Sequence, residues 1–149
     1  MPHRPLTLAL VSALITIAFA GVHHIFRLGP EFIVPTLVIT ALELVAGWRI
    51  RRSASKIALW ALVALNSLIF VWFGVIDGIL DHVLKALGLD HITLLPGGEE
   101  EIVDTYFQLG SVEASSAFYE WTGVGEGVAS IVMMVATVML VAASRKPAR

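Results

Sequence analysis

Hydrophobic positions are concentrated in four long blocks along the chain, and polar positions separate these blocks. Residues 6–22, 57–76 and 127–144 contain no charged side chain, and residues 32–48 contain only Glu43. A helix needs about 20 apolar residues to cross a bilayer core of about 30 Å. Each block reaches this length once its uncharged or amphipathic flanks are included. The pattern therefore predicts four transmembrane helices, over about residues 6–27, 31–49, 56–87 and 123–144.

The segment between the third and fourth blocks has a different pattern. A turn is predicted at residues 95–98, which read Leu-Pro-Gly-Gly. Between residues 99 and 121, Ile102, Val103, Tyr106 and Phe107 share one face of a helix and acidic side chains occupy the rest, which is typical of a helix that lies on a membrane surface or caps a bundle. The predicted fold is an all-α integral membrane protein of one domain, residues 1–149. It is an antiparallel four-helix transmembrane bundle with an extracytoplasmic amphipathic helical cap within residues 88–122.

Composition agrees with this fold class. Hydrophobic residues make up 57% of the chain and charged residues 15%, whereas soluble domains carry about 25% charged residues. The mean hydropathy is +0.83. We therefore expect no soluble nucleotide-binding scaffold, no nucleic-acid partner and no intrinsic disorder. The chain contains no Cys, which excludes disulfides, thiolate zinc sites and iron–sulfur clusters.

The basic residues predict the orientation in the membrane. At the outer end of the predicted path lie only Arg27 and Lys85, and the other basic residues lie at the opposite end: Arg4, Arg49, Arg51, Arg52, Lys56, Arg145, Lys146 and Arg149. Because short loops rich in Lys and Arg stay in the cytoplasm, we expect a multi-pass protein of the inner or plasma membrane with both termini cytoplasmic. The basic start and Ala18-Phe19-Ala20 also resemble a secretory signal with a cleavage site, so cleavage of residues 1–20 remains an alternative.

Each predicted span carries one row of small or polar side chains on a single helix face, and its other surfaces are aliphatic. Four such rows can meet inside a bundle while the aliphatic surfaces face lipid. The pairs Gly74/Gly78 and Gly123/Gly127 fit close helix–helix contact. Ionisable members of the rows fit that role poorly, because a charged group in hydrocarbon costs a few kcal/mol.

Ionisable side chains from three of the predicted spans fall near the same depth, close to the outer face. Asp77 and Asp81 are one helical turn apart, and His82 follows directly. The residues that the predicted topology brings together are His23, His24, Asp77, Asp81, His82, Glu120 and Glu126. We therefore expect a shared polar recess just beneath the outer surface.

The leading hypothesis is a small membrane enzyme that performs acid/base chemistry on a lipophilic substrate entering from the bilayer. Isomerisation, cyclisation or hydration would suit such a pocket, and none of them requires a cofactor. The predicted catalytic residues are His23, Asp77, Asp81, His82 and Glu126. The predicted substrate-binding residues are His24, Arg27, Asn66 and Glu120.

Two other functions fit the same residues. Imidazole and carboxylate groups bind zinc, iron or copper, and His23, Asp77, Asp81 and His82 are candidate ligands, although the spacing is loose and no Glu-x-x-His pair is present. If these residues bind metal, the chain would be a metal-binding or accessory subunit of a larger membrane complex, or it would pair with a second copy of itself as a homodimer. In a proton-coupled carrier, Glu43 and Asn66 would extend a relay toward the inside. His24, Glu120 and Lys85 are also able to extend into headgroups and water.

Overall fold

The computed structural model describes residues 3–92 and 106–145, and four long helices account for most of them. They are α1 (His3–Leu28), α2 (Ile33–Ser53), α3 (Lys56–Ala86) and α4 (Val112–Ser144), and a 3₁₀ turn, Pro30–Phe32, precedes α2. No β-strand occurs within these two ranges. All four helices are long and apolar enough to cross a membrane. The chain is therefore an all-α protein with the features of a multi-pass membrane protein.

Local signals in the sequence explain where the helices begin and end. Gly29 adopts φ 112° between α1 and the 3₁₀ turn, a conformation that favours glycine. Between α2 and α3, Ser55 Oγ accepts a hydrogen bond from the Ala58 backbone N–H and so caps α3. Ser111 Oγ accepts from the Ala114 N–H in the same way at the start of α4. The ends of the first three helices lie close to those predicted.

Helices that follow one another in the chain pack antiparallel. A side chain added to Gly21 or to Gly47 would meet Thr36 or Leu10 respectively, so α1 and α2 run in opposite directions. The same holds for α3 and α4, where Asn66 Nδ2 donates to Thr137 Oγ1 near one end and His82 contacts Glu120 near the other. The most extensive contacts join α4 to α1 and to the second half of α3.

Apolar side chains form two buried clusters along the bundle. One contains Leu6, Leu62 and Leu140, and the other contains Ile69 and Met133. Large apolar side chains also cover the outside of all four helices; examples are Val34, Leu68, Trp72, Trp121 and Val138. Such a surface is suited to lipid contact.

The second part of α3 is a π-helix, Phe70–Val83, which the sequence analysis did not predict. In a π-helix each N–H bonds to the carbonyl five residues earlier, so each turn is wider than an α-helical turn. In an α-helix, His82 would be rotated by about 140° from Asp77. The wider turn brings residues five apart closer to one face, and Asp77, Asp81 and His82 are all buried.

The fourth helix begins earlier than predicted. The expected span started near residue 123, after a separate amphipathic helix over residues 99–121. The prediction for residues 93–105 lies outside the described residues, residues 106–111 are not helical, and Val112 already begins α4. The separate helix ending at Trp121 is therefore wrong for the described part of this segment. The Ser111 cap and the absence of Pro from residues 112–144 let one helix continue into the apolar block.

The segment before α4 packs against the end of α1. The backbone N–H groups of Tyr106 and Phe107 donate to the carbonyls of Arg27 and Phe26, at 2.9 and 3.1 Å. These bonds satisfy carbonyl groups that a helix end leaves without an internal partner. They hold the start of α4 close to the histidines of α1.

Candidate metal centre

A buried cluster of ionisable side chains lies where α1, α3 and α4 meet. One ligand atom each from His23, His24, Asp77 and Glu126 lies within 4.8 Å of the others. A second group with the same property consists of Asp77, Asp81 and His82. Asp77 belongs to both groups. Together the two groups form the buried cluster, which consists of His23, His24, Asp77, Asp81, His82 and Glu126.

Two histidines of α1 direct their Nε2 atoms at one carboxylate oxygen of α3. The Nε2 atoms of His23 and His24 lie 3.5 and 3.7 Å from Asp77 Oδ2. These distances exceed the usual 2.7–3.2 Å of an N–H···O hydrogen bond. They are close to the separation of about 3.3–3.6 Å between two ligand atoms of a tetrahedral ion with bonds of about 2.0–2.2 Å. Both nitrogen–oxygen separations are therefore close to those of metal ligands, and all of the ligand atoms lie within 4.8 Å of one another.

The opposite ring nitrogens of both histidines are held by backbone carbonyl groups. His23 Nδ1 lies 3.1 Å from the Tyr119 carbonyl oxygen and 3.1 Å from Thr122 Oγ1, and His24 Nδ1 lies 2.9 Å from the Ala20 carbonyl oxygen. Because a carbonyl oxygen only accepts, each Nδ1 carries the proton. In a neutral imidazole the Nε2 atom then has a lone pair available. Histidine ligands of metal ions are oriented in this way.

His82 is oriented by a carboxylate instead. Its Nδ1 lies 2.9 Å from Glu120 Oε2, and Lys85 Nζ donates to Glu120 Oε1 at 2.8 Å. The Nε2 atom of His82 is buried and has no hydrogen-bond partner among the described residues. A carboxylate on one nitrogen and a free lone pair on the other is a common arrangement for a histidine that binds a metal ion.

Several carboxylate oxygens of the buried cluster are enclosed without a hydrogen bond. Asp77 Oδ2 and both carboxylate oxygens of Glu126 have no hydrogen-bond partner in the part of the chain that the structure describes, and Glu126 is 0% exposed. An unpaired buried carboxylate is costly because it loses its hydration. A cation between Asp77 and Glu126 would supply the missing partner.

A cavity of about 300 Å³ adjoins the buried cluster. His23, His24 and Asp77 form one part of its wall. Arg27 stands at its polar end, where the guanidinium donates to Tyr119 Oη at 2.5 Å and lies over the Tyr119 ring. The remaining wall is apolar and consists of Leu28, Phe32, Trp72 and Phe73. Trp72 is half-exposed on the outside of the bundle, so this wall reaches the apolar surface of the protein.

The structure brings most of the predicted site residues together. His23, Asp77, Asp81, His82 and Glu126, the predicted catalytic residues, all lie in the buried cluster. Among the predicted substrate-binding residues, His24 joins the cluster, Arg27 lines the cavity and Glu120 contacts His82 and Lys85. Asn66 lies apart from them, beside Thr137.

Glu43 is also buried but belongs to neither group. It lies on the inner face of α2 with Ala46, Gly47 and Ile50. Neither of its carboxylate oxygens has a hydrogen-bond partner within residues 3–92 and 106–145. The bond from Glu43 to Asn66 that a relay would use is therefore not formed in this structure.

The residues that support the site were not predicted from the sequence. Tyr119 and Thr122 hold His23, and Phe32, Trp72 and Phe73 form cavity walls. One signal for the first two was present, because residues 119, 122 and 126 follow the spacing of one helix face. The cavity walls depend on how α1 and α3 pack, which the helical pattern does not specify.

No family model, no curated protein and no solved structure matches this chain. No activity can therefore be transferred to it from a relative. The chemistry of the buried cluster carries the functional conclusion.

Proposed function

We propose that this chain is a multi-pass membrane metalloprotein that binds a divalent transition-metal ion through His23, His24, Asp77 and Glu126. The observation that carries the proposal is the approach of two imidazole Nε2 atoms to Asp77 Oδ2, at 3.5 and 3.7 Å. Carbonyl groups hold both Nδ1 atoms, so the two Nε2 lone pairs and the carboxylate oxygen face one another. Three electron-pair donors at this distance repel unless the positive charge of a proton or a metal ion lies between them, and one proton serves only one of the two nitrogen–oxygen contacts.

A metal ion supplies that charge better than protons do. The ring centroid of His23 lies 5.2 Å from that of His24 and 4.8 Å from that of His82. Protonating Nε2 on each of these rings would place like charges close together in a buried volume, where their repulsion is large. One divalent ion satisfies both Nε2 atoms and Asp77 at once. It also gives Glu126 the partner that it otherwise lacks.

The donor set defines the class of metal ion. Two imidazoles and two carboxylates suit zinc in a tetrahedral site, and iron or copper also accepts nitrogen and oxygen donors of this kind. Small rotations of the His23, His24 and Asp77 side chains would place their ligand atoms at the bond lengths of about 2.0–2.2 Å that zinc requires. The His82–Glu120 pair is the sort of outer contact that accompanies such ions.

The proposal includes the arrangement and the orientation of the chain in the membrane. The four helices form an antiparallel transmembrane bundle of one domain, both termini are cytoplasmic, and the buried cluster lies near the outer face. The distribution of Lys and Arg supports this orientation. The apolar exterior of all four helices supports contact with lipid.

Metal analysis of the full chain, purified in detergent, tests the proposal. After loading with zinc or ferrous ion and removal of excess metal, the wild type should retain at least one ion per chain. His24→Gln and Glu126→Gln should each lower the affinity at least tenfold, because each removes a ligand. Glu113→Gln is the matched control, since Glu113 lies exposed on the same helix as Glu126. A wild type that binds neither metal, or ligand variants that bind as the wild type does, would refute the proposal.

A second candidate function is acid/base or metal-assisted chemistry on a lipophilic molecule. The cavity of about 300 Å³ favours it, because Asp77 and Arg27 meet an apolar wall there. A molecule with a hydrocarbon part and one polar or anionic group would match this lining. Organic extraction of protein isolated in native lipid particles, followed by mass spectrometry, should find such a compound with the wild type and less with Arg27→Gln. Equal recovery from both would remove this candidate.

A further inference from the structure

We propose that the buried cluster holds two metal ions and that Asp77 bridges them. This inference rests on the proposed function and extends it. The first ion is the one bound by His23, His24, Asp77 and Glu126. The second ion is bound by Asp77, Asp81 and His82, whose ligand atoms also lie within 4.8 Å of one another.

His82 is prepared for this second ion by its neighbours. Glu120 holds Nδ1 at 2.9 Å, and Lys85 in turn holds Glu120 at 2.8 Å. The Nε2 atom is thereby directed away from Glu120, and it is buried without a hydrogen-bond partner among the described residues. His82 itself is 1% exposed. An unpartnered lone pair at this depth beside two carboxylates indicates a cation position.

Asp77 can serve both ions because it has two carboxylate oxygens. The His23 and His24 rings approach Asp77 from α1, whereas Asp81 and His82 belong to the next turn of the same helix as Asp77. Apart from Asp77, the first group therefore takes its ligands from α1 and α4, and the second takes them from α3. Carboxylate-bridged pairs of ions lie about 3.5–4 Å apart in two-metal sites, a spacing that one carboxylate spans.

The charges of the ligands are compatible with two ions. Asp77, Asp81 and Glu126 carry three negative charges when ionised, and the Glu120 charge is offset by Lys85. One divalent ion leaves this buried site negative. Two divalent ions leave it with one positive charge, which a single hydroxide ligand neutralises. Since the second ion has only three protein ligands, a coordination position remains for that hydroxide or for a substrate oxygen.

The experiment is a titration of the metal-free full chain with cobalt(II), followed by elemental analysis and electron paramagnetic resonance. The wild type should bind two ions per chain. The resonance intensity per cobalt should fall as the second ion binds, because a bridged pair is magnetically coupled. Asp81→Asn and His82→Gln should each bind one ion, without coupling. Glu113→Gln should behave as the wild type.

The outcomes separate this inference from the proposed function. A wild type that binds one ion, unchanged in Asp81→Asn, would overturn the two-ion proposal and leave the metalloprotein proposal intact. A wild type that binds no ion would overturn both. Two ions retained in both Asp81→Asn and His82→Gln would show that the second ion lies elsewhere. Gel filtration and circular dichroism identify any variant that fails to fold, and the two variants test the same position independently.

Discussion

The three histidines of the buried cluster are oriented in the same way. In each of them a protein group contacts Nδ1, and Nε2 is left without a hydrogen bond to any described residue and faces the carboxylates. For His23 and His24 the holding group is a backbone carbonyl, and for His82 it is Glu120. The ring directions are thus determined before any ion binds, which reduces the entropy lost on binding. Residues that never touch the ion should therefore affect how tightly it is held.

Glu120→Ala tests whether a residue that does not touch the ion affects how tightly the ion is held. Without the carboxylate, His82 loses its partner and its fixed orientation, and the affinity of the second ion should fall about 10–100-fold. Competition with a chelating dye measures the change. Glu113→Ala, on the exposed side of the same helix, should leave the affinity as in the wild type. Equal affinities for Glu120→Ala and the wild type would contradict the assigned role of Glu120.

Asn66 shows where prediction from single residues reached its limit. Its position on the polar row of the third helix suggested substrate contact, but its Nδ2 group donates to Thr137 Oγ1 at 2.9 Å, away from the cluster. A helical row extends over several turns, so membership of the row does not specify depth. The members near residue 77 were grouped correctly because all of them lie toward the same end of the bundle.

We expect Asn66→Leu to leave metal binding unchanged and to alter only stability. Interhelical hydrogen bonds in membrane proteins contribute about 0.6 kcal/mol on average, so the free energy of unfolding should fall by about that amount. Unfolding in mixed detergent micelles and metal stoichiometry measure the two properties separately. Loss of metal from a folded Asn66→Leu protein would show that Asn66 acts on the buried cluster.

At the level of helices, a close crossing of α3 and α4 brings the ligands of these two helices together. A Cβ atom on Gly78 would lie 2.5 Å from both the Cα and the N atom of Gly127. Two backbones are in direct contact here, as in membrane helix pairs with small residues at the interface. Asp77 and Glu126 are the chain neighbours of these glycines, so the crossing sets the distance between them.

Gly78→Ala should therefore separate the helices and weaken the metal site. Alanine favours a helix by about 1 kcal/mol over glycine, but overpacking of a tight contact costs about 1–3 kcal/mol. We expect net destabilisation in detergent and a lower metal affinity. Gly125→Ala is the control, because its new Cβ would meet the ring of Phe19, which is partly exposed and can move. If Gly78→Ala and Gly125→Ala behaved alike, the crossing would not control the site.

The existence of the helices was predictable, whereas the winding of α3 and the start of α4 were not. Long apolar blocks are sufficient to indicate membrane-length helices. Phe70–Val83 is a π-helix that packs against α4, and the same side-chain sequence is compatible with an α-helix. Residues 112–121 have amphipathic character in isolation, and only their continuity with the next block makes them part of α4.

For the molecule as a whole, the buried cluster connects three helices. Its ligands come from α1, α3 and α4. An ion that binds the folded chain alone stabilises it by about 2.7 kcal/mol when its free concentration is 100 times its dissociation constant. Removal of metal with a chelator should thus lower the melting temperature of the wild type. His24→Gln should melt lower and respond less to the chelator, and an equal response from both would argue against stabilisation through this site.

The orientation in the membrane can be tested directly because the chain has no native Cys. Single cysteines at Ser53 and Asp90, both exposed and at opposite ends of the bundle, each provide one reactive group. In intact cells a membrane-impermeant maleimide should label Asp90→Cys and should label Ser53→Cys only after lysis. The opposite pattern would reverse the predicted topology and place the buried cluster near the cytoplasmic face.

The wide winding of residues 70–83 has a consequence for how this sequence can vary. The wider turn brings Asp77 and His82, which are five residues apart, closer to one face, and both side chains are buried. Exchange of one aliphatic residue for another leaves that winding intact. Loss or gain of a single residue between Asp77 and Asp81 would rotate these donors against one another while barely changing hydropathy. In this stretch natural selection should therefore tolerate conservative substitutions of aliphatic residues and reject insertions and deletions.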